Sequence, residues 1–271
     1  MSNNILSGKT GIIFGALDEK SIAWKVALKA HEEGAKFILT NTALALRLGS
    51  LNKLAEETSS KIVPADVTVV VELENLFTAA KEEFGKVDFV LHSVGMSMNI
   101  RKNNPFTALN YDFMMKTLDI SAVSLHKVLQ TALKLDAIAQ GGSVVALTYI
   151  AAQKVFPDYS EMSQAKALLE SIVRSFGYHY GTTKGVRINS VSQSPTVTTA
   201  GSGVSGFDAF IDYAEKMSPL GNATAEDCAN YCISLFSDYT KMVTMQNLYH
   251  DGGFSMMGVS EQVMQKFGTQ V

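Results

Sequence analysis

Short apolar runs alternate along this chain with stretches of helical period, and no other feature restricts its fold so tightly. Thr10 to Phe14, Phe37 to Thr40, Ile62 to Ala65, Phe89 to His92 and Ser143 to Leu147 are rich in Val, Ile and Phe. Continuous runs of that length suit strands covered on both faces, as in parallel sheets. Between them, Ile22, Val26, Ala27 and Ala30 share one helical face, and Leu73, Leu76, Phe77, Ala80 and Phe84 recur at helical spacing. Each connector therefore reads as a crossover helix. After Tyr149 a helical pattern runs to about Tyr180, followed by a strand at Val186 to Ser190, a helix near Ala225 to Phe236 and a last strand ending at His250. The expected fold is α/β: one Rossmann-like, doubly wound parallel sheet of about seven strands with flanking helices, in a single domain over residues 1–271. Ligands of such sheets bind outside the carboxyl ends of the strands.

Composition narrows the function classes. A formal net charge of −3, with no block of like charge, lacks the basic footprint of a nucleic-acid binder. No apolar run approaches the roughly 18 residues that span a bilayer, and the apolar stretch within Met1 to Ala16 is too short for a signal peptide. No membrane association is expected, and the cytoplasm is the expected setting. Cys228 and Cys232 lie four apart in a helix-like stretch and read as buried core thiols. Five scattered histidines form no ligand pair, so no metal is expected.

Chemistry should gather where strands end. Gly15 closes the first strand and Ser21 stands as a plausible N-cap before Ile22, a turn whose free N–H groups and helix dipole suit a pyrophosphate. The usual GxGxxG is absent. Gly8-Lys9-Thr10 imitates the tail of a P-loop, but the required earlier glycine falls at Asn3, so a P-loop is rejected. Thr42, Asp66 and His92-Ser93-Val94-Gly95 follow later strands. From position alone, Asp66 either bonds an adenine amino group or caps the next helix. Strand two carries neither the acidic residue that grips a ribose hydroxyl nor an adjacent Arg for a 2′-phosphate, which leaves NADH and NADPH both open. Tyr149 follows strand five, and Tyr159 and Lys166 stand seven residues apart. Two helical turns would place them on one face with Cα atoms roughly 10 Å apart, able to flank a ribose.

These motifs, together with Asp119-Ile120-Ser121, Val186-Arg187-Ile188-Asn189 and Asp251-Gly252-Gly253-Phe254-Ser255, make the chain similar to the bacterial enoyl-acyl-carrier-protein reductases of the short-chain dehydrogenase/reductase superfamily, from about Leu6 to Gly258. Ser163 occupies the position four after Tyr159, where ketone-reducing relatives carry Lys. The resemblance implies Tyr149, Tyr159 and Lys166 as catalytic residues. It implies Gly15, Ser21, Ile22, Thr42, Asp66, Val67, Val94, Gly95, Lys166 and the segment Thr196, Val197, Thr198, Thr199 and Ala200 as the cofactor site, with NADH favoured. Ser97, Tyr149, Tyr159, Val204 and Phe207 would meet substrate, the last two in a lid over about 196–210. An acyl carrier protein would deliver a trans-2-enoyl thioester, and the family usually forms homotetramers.

The implied chemistry is hydride transfer to C3, with Tyr159 donating to the enolate oxygen and Lys166 nearby favouring phenol ionisation. Ser194 replaces a glycine frequent before the lid, and Ser205, Asp208 and Ala209 replace its basic residues, so the carrier-docking surface is unassigned. The competing readings are a nucleotide-sensing protein without turnover and a ketone or alcohol dehydrogenase.

Overall fold

The structure, a computed structural model, describes residues 3–198 and 207–267. Its strands are β1 (Thr10–Phe14), β2 (Lys36–Thr40), β3 (Lys61–Ile62), β4 (Val87–His92), β5 (Ile138–Thr148), β6 (Arg187–Gln193) and β7 (Asn247–His250). Among the described residues they form one sheet in the order β3-β2-β1-β4-β5-β6-β7, and every pairing is parallel. The helices are α1 (Ile22–Glu32), α2 (Ala43–Leu48), α3 (Leu51–Glu57), α4 (Val70–Phe84), α5 (Met98–Arg101), α6 (Tyr111–Leu118), α7 (Ser124–Lys134), α8 (Met162–Lys184), α9 (Phe207–Met217), α10 (Ala225–Phe236) and α11 (Glu261–Phe267). The expected fold is the observed one.

Alternation along β1 builds both layers of the core. Ile12 and Phe14 face one layer with Leu73 and Phe77 of α4, Leu125 and Leu129 of α7, and Leu169 and Tyr180 of α8. Ile13 faces the other, with Trp24 of α1 and Cys228, Cys232 and Phe236 of α10. The cysteines are thus buried, as expected. Each such side chain contributes about 1.5–3 kcal/mol on burial, and the Phe89 and Phe236 rings stack with centroids 4.6 Å apart. α10 starts where a capping box closes, with Thr224 and Asp227 each bonding the other's backbone N–H.

Two boundaries differ from the sequence reading. Strand β3 ends at Ile62, although Val63 and Ala65 still donate to the Leu39 and Asn41 carbonyls; Pro64 between them stands on the outer side of this edge strand, where its missing N–H interrupts no pairing. The helix expected from Tyr149 onward begins only at Met162. Before it the chain makes single 3-10 turns at Ile150–Ala152 and Pro157–Tyr159, and Ser160 has φ +47°. Between α6 and α7, residues Asp119–Val123 wind as a π-helix, a widened turn that occurs frequently at functional sites.

Candidate active site

Strand order reverses between β1 and β4, so a crevice opens at their carboxyl ends. Gly15 stands there with φ +93°, and a Cβ on it would lie 1.9 Å from the Ser93 carbonyl oxygen. Only glycine lets the two strand ends approach that closely. Ser21 occupies the N-cap position of α1, yet its hydroxyl does not cap. It donates to the Asp18 carbonyl at 2.7 Å and accepts from the Leu17 N–H at 3.3 Å, closing the loop on itself. The first-turn N–H groups from Ile22 onward still lie at the positive end of that helix. A cavity of about 660 Å³ lies beside this loop, lined by Glu19, Lys20 and Lys25 on one side and by Thr196 and Val197 on the other.

Beyond β2 and β3 the crevice edge is built from hydrogen-bonded turns. Thr42 accepts from the Ala45 N–H at 3.2 Å and so caps α2, and Asn41 ties strand end to strand end by donating to the Ala16 carbonyl at 2.9 Å. Asp66 accepts from the N–H and hydroxyl of Thr68 at 2.8 and 2.7 Å, pinning the turn that leads to α4, whose N-cap position is Val69. Val67 is buried in the first core layer. Lys127 Nζ bridges Asp119 at 2.6 Å and the Thr68 carbonyl at 2.9 Å, binding the π-helical segment to the same turn.

At the other end of the crevice, Val94 packs on the core and Gly95 is exposed. A Cβ on Gly95 would stand 3.6 Å from Lys166 Nζ and 3.9 Å from Ser121 Oγ. Ser121, presented by the π-helix, accepts from the Met96 N–H at 3.0 Å. Lys166 itself is buried and donates to the Leu147 carbonyl at 2.9 Å. Burial lowers its ammonium from 10.5 to about 8, against an opposing pull from Glu170 one turn along α8. Burial, with Lys166 next, lowers His92 to about 3, so that imidazole is neutral; it shares a 2.9 Å hydrogen bond with Ser124.

Tyr149 and Tyr159 meet as rings 5.0 Å apart at the end of β5. Phe156 and Phe210 complete the aromatic cluster around Tyr149, at 5.5 and 6.3 Å. The Tyr149 hydroxyl is buried without a hydrogen-bond partner among the described residues. Burial, reinforced by Tyr159 and Asp251, raises its pKa, and burial alone raises that of Tyr159. Both phenols are therefore protonated at neutral pH. Lys166 does not push Tyr159 toward ionisation, contrary to expectation, because desolvation dominates.

Two further expectations are corrected. Tyr159 does not share a helix face with Lys166: it ends the 3-10 turn ahead of α8, and Ser160, at φ +47°, breaks the backbone between the two. What brings them together is the end of β5, where Leu147 holds the ammonium and Tyr149 holds the Tyr159 ring. Ser97 does not line an open entrance. It is buried, accepts from the Ile100 N–H at 3.0 Å and donates to Glu161 at 2.7 Å.

Thr196 donates to the Ser194 carbonyl at 2.9 Å, Val197 is exposed and Thr198 half-buried. Thr199, Ala200 and Val204 lie outside the described residues, and of Phe207 only its place at the start of α9 is described. Glu161 and Glu170, both buried, were not singled out by the sequence reading. Glu170 had a signal, its i, i+4 spacing from Lys166. Glu161 had none.

Comparison with known proteins identifies the family. Residues 15–255 match the family model described as Enoyl-(Acyl carrier protein) reductase. The chain is 33% identical over 255 residues to enoyl-acyl-carrier-protein reductase (NADH) 2 of Rhizobium meliloti, covering 94% of each chain. It is 32% identical over 257 residues to the NADH enoyl-acyl-carrier-protein reductase FabI of Bacillus cereus, covering 94% of this chain and 99% of the relative. The crystal structure of a FabI-NADH complex from Alistipes finegoldii superimposes with a TM-score of 0.96 at 59% identity, over 99% of this chain and 95% of that one.

Proposed function

Because the chain belongs to the enoyl-acyl-carrier-protein reductase family, we propose that Tyr159 and Lys166 carry its reaction, the NADH-dependent reduction of the C2=C3 double bond of a trans-2-enoyl thioester in fatty acid synthesis. The carrying observation is the convergence at the end of β5, where the Tyr149 and Tyr159 rings pack at a tilt with centroids 5.0 Å apart and Lys166 hangs from the Leu147 carbonyl beside Gly95.

The residues fit a dinucleotide. Gly95 leaves space beside Lys166 that a side chain would enter, and Gly15 allows a bare backbone turn against Ser93 at the mouth of the crevice. In this reading Asp66 and Val67 face the adenine, Thr42 its ribose, the turn from Gly15 through Ser21 to Ile22 the pyrophosphate, and Val94, Gly95 and Lys166 the nicotinamide ribose. Thr196, Val197, Thr198, Thr199 and Ala200 would close over the nicotinamide end, with Val204 and Phe207 in the acyl lid. NADH, when bound, supplies the hydride that reaches C3.

The chain's own part is to receive the resulting charge. An enolate forms on the thioester oxygen, and Tyr159, held protonated by burial, donates a hydrogen bond to it. A fixed donor of this kind contributes about 3 kcal/mol to the transition state. Tyr149 packs beside the thioester. The ammonium of Lys166 would hold the ribose hydroxyls of the bound cofactor. An acyl carrier protein as the delivering partner, a homotetramer and a cytoplasmic setting complete the proposal. Exposed Phe106, Tyr111 and Met115 suit a contact between subunits, and no helix of the described residues is long and apolar enough to cross a membrane.

The test follows oxidation of the reduced nicotinamide with crotonyl and 3-ketoacyl thioesters. Tyr159→Phe should lower kcat on the enoyl thioester about a hundredfold with NADH affinity unchanged. Full turnover by that variant would remove the donor role.

A further inference from the structure

Glu161 is a carboxylate with no exposed surface, and no lysine or arginine pairs with it among the described residues. An ion buried without a counter-charge survives only where hydrogen bonds replace water. One oxygen, Oε1, accepts from Ser97 Oγ at 2.7 Å, Thr117 Oγ1 at 2.7 Å and Asn99 Nδ2 at 3.2 Å. Burial pushes the Glu161 pKa up, but hydrogen bonding, with the Ser97 and Thr117 hydroxyls as donors, outweighs it and holds the group below the ordinary glutamate value; Oε2 is buried without a partner among the described residues.

The donors come from two separate elements. Ser97 and Asn99 belong to the segment that leaves β4 just after Val94 and Gly95, and Thr117 belongs to α6. Asn99 is itself buried and carries the link further, donating to the Asn110 carbonyl and accepting from the Asn110 N–H and the Asn104 side chain. Glu161 lies two residues after Tyr159. Between them stands Ser160 with φ +47° and ψ −143°, a backbone conformation that a side chain ordinarily avoids. Such a conformation persists only where its surroundings enforce it. The hydrogen bonds to Glu161 are an enforcement of that kind, fixed to the first residue beyond the strained one.

Resting on the donor role of Tyr159 given above, we propose that Glu161 is a positioning residue: its buried carboxylate anchors the Tyr159 turn to the segment after β4 and to α6, and so sets where the phenol points. Glu161 touches neither cofactor nor substrate in this scheme. It acts through the one-residue hinge at Ser160, and the loop it grips is continuous with Gly95, so the phenol and the nicotinamide side of the crevice share a single anchor.

The experiment uses the full chain with Glu161→Leu, Glu161→Gln, Thr117→Val and Tyr159→Phe, with NADH and crotonyl thioester. Stoichiometric NADH titration by fluorescence counts folded sites, and kcat is expressed per site. A displaced donor should lower kcat per site at least about tenfold in Glu161→Leu, since small misplacements of catalytic groups have large rate effects. NADH affinity should change far less than kcat, because the rest of the crevice is untouched. Gln keeps an accepting oxygen, so Glu161→Gln should recover most of the lost rate. Thr117→Val, which removes one donor and little volume, should fall in between. If Glu161→Leu binds no NADH, the comparison of Thr117→Val with Glu161→Gln decides. Unchanged kcat per site in the Glu161 and Thr117 variants, beside a large loss in Tyr159→Phe, would overturn the positioning role alone. Full turnover by Tyr159→Phe would overturn the donor role and this inference with it.

Discussion

Replacing Lys166 by Met should make the protein more stable and inactive. Burial takes the ammonium from 10.5 to about 8, so keeping it charged costs the folded state about 3 kcal/mol at roughly 1.36 kcal/mol per tenfold step in proton affinity. Met fills similar volume without charge. The variant loses the hydrogen bond from the charged ammonium to the Leu147 carbonyl, about 1.5–3 kcal/mol, leaving a net gain of up to about 1.5 kcal/mol at pH 7. For a chain of this size that raises Tm by up to about 3–6 °C.

The sign of the pH dependence follows from a folded value below the unfolded one. Below pH 8 the amine is charged in both states, and the cost is present in full. Between pH 8 and 10.5 the folded protein sheds a proton that the unfolded chain keeps, so the unaltered protein gains on the variant. Above 10.5 both are neutral and the cost is gone. Urea unfolding of the two proteins from pH 6.5 to 10.5 measures the gap, in which other titrating groups cancel. A gap that stays flat across that range, or a variant less stable than the unaltered protein at pH 7, would refute the buried-charge reasoning.

The two crevice glycines should respond differently. Gly15→Ala puts a methyl 1.9 Å from the Ser93 carbonyl oxygen at φ +93°, so calorimetry should show NADH binding abolished and urea unfolding a loss of several kcal/mol. Gly95→Ala makes only ordinary contacts, the nearest 3.4 Å away at Met162, so stability should hold while NADH binding weakens; intact binding there would move the cofactor away from Lys166. Ser160→Gly removes strain of about 1–3 kcal/mol at a cost in unfolded-chain entropy of about 0.5–1 kcal/mol, and urea unfolding should show a net gain of about 1 kcal/mol.

How much of this was legible in the residues depended on the range of the forces involved. The bounds of β1 and α10 were readable because their signals are local, a continuous apolar run in one and a helical apolar stretch in the other, and the structure adds the Thr224–Asp227 capping box that fixes where α10 starts. Tyr159 was misplaced because helical period was carried across Pro157 and Ser160, although a proline after an apolar run is a stop signal in its own right. Ser97 was assigned by resemblance to an entrance, and a carboxylate 64 residues away holds it inside. The Glu161 anchor was illegible for the same reason: its three donors stand 44 to 64 positions from it in the chain. The raised phenol values of Tyr149 and Tyr159 depend on desolvation, which no spacing records.

Deleting a single residue from 119–123 would return that stretch to ordinary α winding. Ser121 would swing around the axis away from the Met96 backbone, and the salt link from Lys127 to Asp119, held over the Asp66–Thr68 turn, would slip out of line. Surface connectors absorb such changes in length by bulging into water, but this coil is wedged between two ends of one crevice. Drift in this part of the chain is thereby confined to exchanging one side chain for another, with the tally of residues held constant.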